Sequence, residues 1–137
     1  MTKKTLGFIV RSLPYKTEAS RLALTHAIAS QSVEIYLEDG QTVEPIVCFI
    51  GDGVLNCLKN QEAMKHYGDT SIGMHLENAL LVDLKVYICK EDVERLGLTE
   101  DQLLLDAERL GADMKAEVVP YATIEKVMQE VDHLQFF

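Results

Sequence analysis

Three cysteines, four histidines and a scatter of carboxylates are the side chains here with reactive chemistry, and Cys89 has the setting that suits it best. It closes an apolar run of Leu84, Val86, Tyr87 and Ile88, and Lys90, Glu91 and Asp92 follow directly. A β-branched and aromatic run that stops at a charged segment predicts a buried strand turning into a helix. In open α/β sheets, ligands bind in the crevice beyond the carboxyl ends of the strands. A helix start and an adjacent lysine favour a thiolate and pull its pKa below the free value of about 8.5, whereas Glu91 and Asp92 disfavour the anion. Cys89 is therefore read either as a reactive nucleophile, with Lys90 as its electrostatic support, or as a structural thiol.

The other candidate groups point to less. Cys48 lies between Val47 and Phe49 inside an apolar run, the place of a small buried hydrophobe. Cys57 follows a glycine loop beside Leu55 and Leu58, where it either packs in the core or faces the same crevice. No C-x-x-C pair is present, and an odd count without a secretion signal predicts reduced thiols. His26, His66, His75 and His133 lack metal-site spacing, so no metal is expected. No organic cofactor is expected either. The loop from Arg11 to Thr17 has no glycine, which excludes a dinucleotide fingerprint and a P-loop there. In Gly51-Asp52-Gly53-Val54-Leu55-Asn56 only part of G-x-G-x-x-G is matched, and Asp52 would repel a pyrophosphate. Its glycines are read as serving a tight turn at positive φ. A nucleophile elbow of the form G-x-S-x-G is absent.

The elements that would position Cys89 follow from the apolar pattern. Leu6 to Val10 reads as a first strand ended by Pro14, and Thr17 caps a helix carrying Leu22, Ala23, Ala27 and Ile28. Glu38-Asp39-Gly40 is a turn before a second strand, Pro45 to Ile50, with Gly51-Asp52-Gly53 at its carboxyl end. Residues 54 to 68 are irregular, broken by Asn60-Gln61, and Ser71 caps a helix with Ile72, Leu76, Ala79 and Leu80 on one face. After the strand at Cys89, a short helix ends at Gly97. Thr99-Glu100-Asp101-Gln102 forms a capping box for a further helix that buries Leu103, Ala107 and Leu110 and ends at Gly111. Ala116 to Val119 is a fourth strand stopped by Pro120, Thr123 starts a last helix with Ile124, Val127, Met128 and Val131, and His133 to Phe137 is a fifth strand. Strands alternating with helices over short connections predict one α/β domain over residues 1–137, a three-layer α/β/α fold with a mainly parallel five-stranded sheet.

The totals agree. A chain of 137 residues with 47% hydrophobic and 26% charged residues fits a single globular domain. The longest wholly apolar run, Ile46 to Ile50, cannot span a bilayer, and the run after Lys3-Lys4 is too short for a signal peptide, so a cytoplasmic protein without a membrane contact is expected. The net charge of −9 is concentrated late, since residues 91–137 hold 4 basic and 12 acidic groups. Phosphate backbones require clustered lysine and arginine, so direct nucleic-acid binding is not expected.

Four segments carry a resemblance over nearly the whole length: Leu13-Pro14-Tyr15-Lys16-Thr17 to a P-[YH]-G-T loop, Phe49 to Val54 to an [FL]-x-x-DGV segment, Val86 to Leu98 to a strand with a [DS]-L-x-x-RGL-like helix, and Val127 to Phe137 to an M-x-E-x-D-x-x-x-x-F terminus. In their order and spacing they resemble the DsrE/DsrF/TusCD-like sulfur-relay family, within it the DsrF and TusC subunit type. The resemblance implies a parallel α/β domain that assembles with related DsrE/TusD-like and DsrH/TusB-like subunits or with itself. It implies sulfur carried as a cysteine persulfide between donor and acceptor proteins, toward tRNA 2-thiouridine synthesis or dissimilatory sulfur oxidation. The carrier role maps onto Cys89, and Tyr15, Thr17, Asp52 and Gly53 belong to the loops of its crevice. The alternative is a non-catalytic assembly subunit that positions a related carrier, motivated by the acidic C-terminal third and the apolar Leu134, Phe136 and Phe137. A flavodoxin-like ligand binder is disfavoured because the first loop lacks the small hydroxyl and glycine residues that cradle phosphate.

Overall fold

The protein is described by a computed structural model over residues 3–32 and 42–137. The turn expected at Glu38-Asp39-Gly40 lies outside the described residues. The first strand, β1 (Lys3–Val10), leads to the helix α1 (Ala19–Ser32), and β2 spans Thr42–Phe49. A 3₁₀ stretch, Gly51–Cys57, and a short helix α2 (Ala63–Tyr67) occupy the segment read as irregular. Then come α3 (Ile72–Leu81), β3 (Lys85–Cys89), α4 (Lys90–Arg95), β4 (Glu117–Val119), α5 (Tyr121–Glu130) and β5 (His133–Phe136). The five strands form one sheet in the order β4-β3-β2-β1-β5, and every pairing is parallel.

Parallel strands need crossovers, and right-handed crossovers decide the layers. The chain steps from β1 through β2 and β3 to β4 in one direction, then returns across the sheet to β5. Those steps put α1 and α3 on one face, where they pack together, and the return puts α5 on the other, where it packs on β3. Covered on both sides, the central strands are apolar without alternation: Ile9, Val10, Val47, Cys48, Phe49 and Ile88 are all fully buried. The outer strand β5 is exposed along its length.

The helix expected after Thr99 does not form. The capping residues do close one turn, with Gln102 Oε1 accepting the Thr99 N–H at 2.9 Å. Beyond it the backbone is claimed by tertiary partners: Leu104 N–H donates to the Cys57 carbonyl at 2.7 Å and Ala116 N–H to that of Leu105 at 2.8 Å. Leu103 and Asp106 instead make antiparallel bridges with Leu58 and Lys115, and only 3₁₀ turns remain at Glu100–Gln102 and Glu108–Leu110. Leu103 and Ala107 are buried as expected, but Leu110 is 39% exposed.

Smaller boundaries also move. Thr17 caps α1 as expected, its Oγ1 accepting the Ala19 N–H at 3.2 Å. The Ser71 hydroxyl does not cap α3; it donates to the Gln61 carbonyl at 3.2 Å and accepts from Ala63 N–H at 3.3 Å. The last helix begins at Tyr121, two residues before Thr123, because Pro120, held at φ −60° and ψ 150°, stands outside as its N-cap.

Candidate functional site

Beyond the carboxyl ends of β1, β2 and β3, four chain segments meet: the loop 11–18, the 3₁₀ stretch Gly51–Cys57, the start of α4, and the turn from β4 into α5. Backbone bonds join the ends of β1 and β2 beneath them and turn the chain into the 3₁₀ stretch. Ile50 N–H donates to the Val10 carbonyl at 3.0 Å and Gly53 N–H to the Ile50 carbonyl at 2.8 Å. Of the loop glycines only Gly51 has positive φ, at 55°. Gly53 is required for a different reason, since a Cβ there would stand 2.1 Å from the Val10 carbonyl oxygen.

Cys89 ends β3 and is the N-cap of α4, as the sequence predicts. It is 1% exposed. Its Sγ lies 3.9 Å from Glu91 Oε1, toward which the thiol donates. Burial pushes the thiol up to about 11, and the carboxylates of Asp92 and Glu91 add to this, while a backbone bond from Asp92 works against it. The net direction is opposite to the activation expected from a helix start. α4 has only six residues and two carboxylates in its first turn, so its dipole cannot offset desolvation and like charge. Lys90 is exposed and lines a groove of about 340 Å³ with Val93, Leu98 and Val118; Cys89 is not among the lining residues.

The remaining thiols are inert by the same physics. Cys48 and Cys57 are fully buried, and burial pushes Cys48 up to about 12 and Cys57 well above its ordinary value. Both have the core role that the sequence offered for them.

The crevice residues divide into two groups. Asp52 and Gly53 lie beside α4: Arg95 reaches Asp52 Oδ1 at 3.4 Å and Asp92 Oδ1 at 3.2 Å, and Asp92 Oδ2 accepts the Gly51 N–H at 2.7 Å. These bonds hold the Asp92 carboxyl below its ordinary value. Tyr15 and Thr17 lie in the first loop and do not face the thiol through any hydrogen bond described. Tyr15 takes φ 65°, donates its hydroxyl to Gln61 Oε1, accepts the Ile72 N–H at 2.9 Å and stacks on Tyr67.

Three residues important to this end of the sheet escaped sequence reasoning. Gln61, read only as a break in periodicity, ties Tyr15 to the Asn56 and Leu58 carbonyls at 2.9 and 2.8 Å. Asn56 is fully buried and donates to the Ser12 and Gly53 carbonyls at 3.0 and 2.8 Å, while its Oδ1 has no partner among the described residues. Glu91, read only as a charge against the thiolate, also accepts the Tyr121 N–H at 2.8 Å. No spacing in the sequence announces the bonds between Gln61 and Tyr15, Asn56 and Ser12, and Tyr121 and Glu91, because each joins segments far apart in the chain. Among the described residues no group of three or more His, Cys, Asp or Glu could hold a metal ion.

The model of the DsrE/DsrF-like family matches residues 4–136. This chain belongs to that family. It is 34% identical over 107 residues to a protein named TusC homolog from Aliivibrio fischeri, covering 77% of this chain and 83% of that one. It is 30% identical over 118 residues to a TusC homolog from Vibrio parahaemolyticus, covering 85% and 92%. The fold is that of the crystal structure of the ychN protein from E. coli, with a TM-score of 0.75 over the full length of both chains at 19% identity. The DsrE/DsrF-like chain thus has the parallel α/β architecture and the family membership read from its segments.

Proposed function

We propose that this DsrE/DsrF-like chain is a subunit of a sulfur-relay complex, in which it binds and positions related subunits and keeps Cys89 as a closed thiol. The observation that carries the non-carrier role is the state of Cys89: buried, facing two carboxylates and pushed up to about 11. A relay nucleophile must attack as its thiolate, forming a bond to the outer sulfur of the donor persulfide while the donor sulfur leaves as a thiolate. Cys89 in this setting is almost wholly protonated at neutral pH.

The relay setting is supported by the two TusC homologs and by the family match. It fits tRNA 2-thiouridine synthesis in the cytoplasm, with DsrE/TusD-like and DsrH/TusB-like chains as partners. Among the described residues no helix is long and apolar enough to cross a membrane. An assembly role is favoured by exposed apolar groups at the sheet edge, with Leu134 37% and Phe136 48% exposed.

A second reading, sulfur carriage by Cys89, is favoured by its place at the end of β3 beside the crevice loops. One experiment separates the two. The isolated chain is incubated with a persulfide-loaded donor protein, and the intact mass is compared with that of Cys89→Ser. The expected result is no Cys89-dependent gain of a sulfur atom, together with capture of the related subunits on co-expression. A one-sulfur gain lost in Cys89→Ser would establish carriage and overturn the assembly-only role; a chain that captures no related subunit would overturn membership of the complex.

A further inference from the structure

Cys89 pairs in register with Val119, so the chain leaving β4 at Pro120 begins α5 directly beside the thiol. The first N–H groups of a helix have no acceptor within it. That of Tyr121, the first residue of α5, donates to Glu91 Oε1 at 2.8 Å, and the same oxygen lies 3.9 Å from Cys89 Sγ. A single carboxylate on α4 thus joins the start of α5 to the thiol.

We propose that Glu91 is a latch: its bond to the Tyr121 N–H keeps the start of α5 closed over Cys89, and breaking that bond opens a path to a reactive thiol. Asp92 also faces the thiol, through its N–H and its carboxylate, but that carboxylate is held in place by the Gly51 N–H and Arg95 and makes no bond to α5 among those described. Arg95 also reaches Asp52, and Lys90 lines the groove with Val93, Leu98 and Val118. Glu91 is exposed, and its bond to the start of α5 lies at the surface rather than in a packed core, so opening is a local event that leaves the sheet intact. The inference deepens the closed-thiol part of the proposed function and is independent of whether the chain joins a sulfur relay.

The test is iodoacetamide labelling of the full chain, followed cysteine by cysteine through peptide masses. Glu91→Ala removes the acceptor. Tyr121→Pro removes the donor, and it suits the site because proline is accepted at the first helical position and Pro120 already has the extended ψ of 150° that a following proline requires. Tyr121→Ala keeps the N–H and serves as control. Cys89 is expected to label about tenfold faster in Glu91→Ala and in Tyr121→Pro, because loss of the latch bond raises the population of the open form in both. Tyr121→Ala is expected to stay near the wild-type rate, and Cys48 and Cys57 to stay unlabelled. A wild-type Cys89 that already reacts like a free thiol overturns the latch. So does an unchanged rate in both variants, or a gain shared by Cys48 and Cys57.

Discussion

Gly53 passes so close beneath the end of the first strand that a Cβ on it would stand 2.1 Å from the carbonyl oxygen of Val10, with the Val10 carbonyl carbon at 2.8 Å. Both are backbone atoms, and that carbonyl already accepts the Ile50 N–H at 3.0 Å, so neither can turn aside. The close approach locks the carboxyl ends of β1 and β2 together under the crevice.

Gly53→Ala is therefore expected to destabilise the fold by about 3 kcal/mol, at the upper end of overpacking costs, because backbone must shift. Gly51→Ala meets no atom within 4 Å but sits at φ 55°. Its cost is the left-handed conformation alone, about 1 kcal/mol. Urea unfolding midpoints of the two variants give the order; equal midpoints would refute the steric role of Gly53.

The Tyr15 hydroxyl is a structural hub of the first loop. Tyr15→Phe orphans the part-buried Ile72 N–H and one bond to Gln61, and is expected to cost about 1–3 kcal/mol of stability. The same substitution is expected to leave the labelling rate of Cys89 unchanged. Chemical denaturation and iodoacetamide kinetics on one preparation check both outcomes.

Asp132 fixes the start of β5 to β1. Its Oδ2 accepts the Thr5 N–H at 2.8 Å and the Thr5 hydroxyl at 3.1 Å. These bonds hold the carboxyl below its ordinary 3.8. With the folded value depressed, the stabilisation is complete above the unfolded value near 3.8 and is lost as pH falls through the folded value. Melting temperatures of the wild type and Asp132→Asn are expected to differ at neutral pH and to converge in strong acid. A difference that persists there would refute the linkage.

His75 acts in the same direction at higher pH. Arg21 Nη1, always a donor, lies 3.0 Å from His75 Nε2, so that nitrogen must be unprotonated to accept. Burial and then Arg21 lower the imidazole pKa from 6.5, while Asp69 opposes them. The folded state therefore binds fewer protons, and the stabilisation is present above 6.5 and declines as pH falls from 6.5 toward the lowered folded value. The His75 C2–H resonance is expected to titrate below the free imidazole value. In Arg21→Gln the midpoint is expected to move up, and an unmoved midpoint would remove Arg21 as a cause.

The sequence by itself determined the strand-helix alternation, the parallel sheet, Cys89 at the end of the third strand and the family, because each rests on local apolar pattern or on ordered short segments. Apolar runs such as Leu6 to Val10 and Pro45 to Ile50 carry that pattern within a few residues. Tertiary structure decided the rest. The capping box at Thr99 is present in the structure, yet the N–H groups of Leu104 and Ala116 donate to carbonyls of other segments, Cys57 and Leu105, so a good start did not become a helix. The state of Cys89 was decided the same way. Its neighbours Lys90, Glu91 and Asp92 pull in opposite directions, and no spacing says which of them faces the sulfur or how much water reaches it. Burial at 1% exposure settles that balance toward the protonated thiol, because desolvation is a property of the packed fold and not of the residues flanking the cysteine.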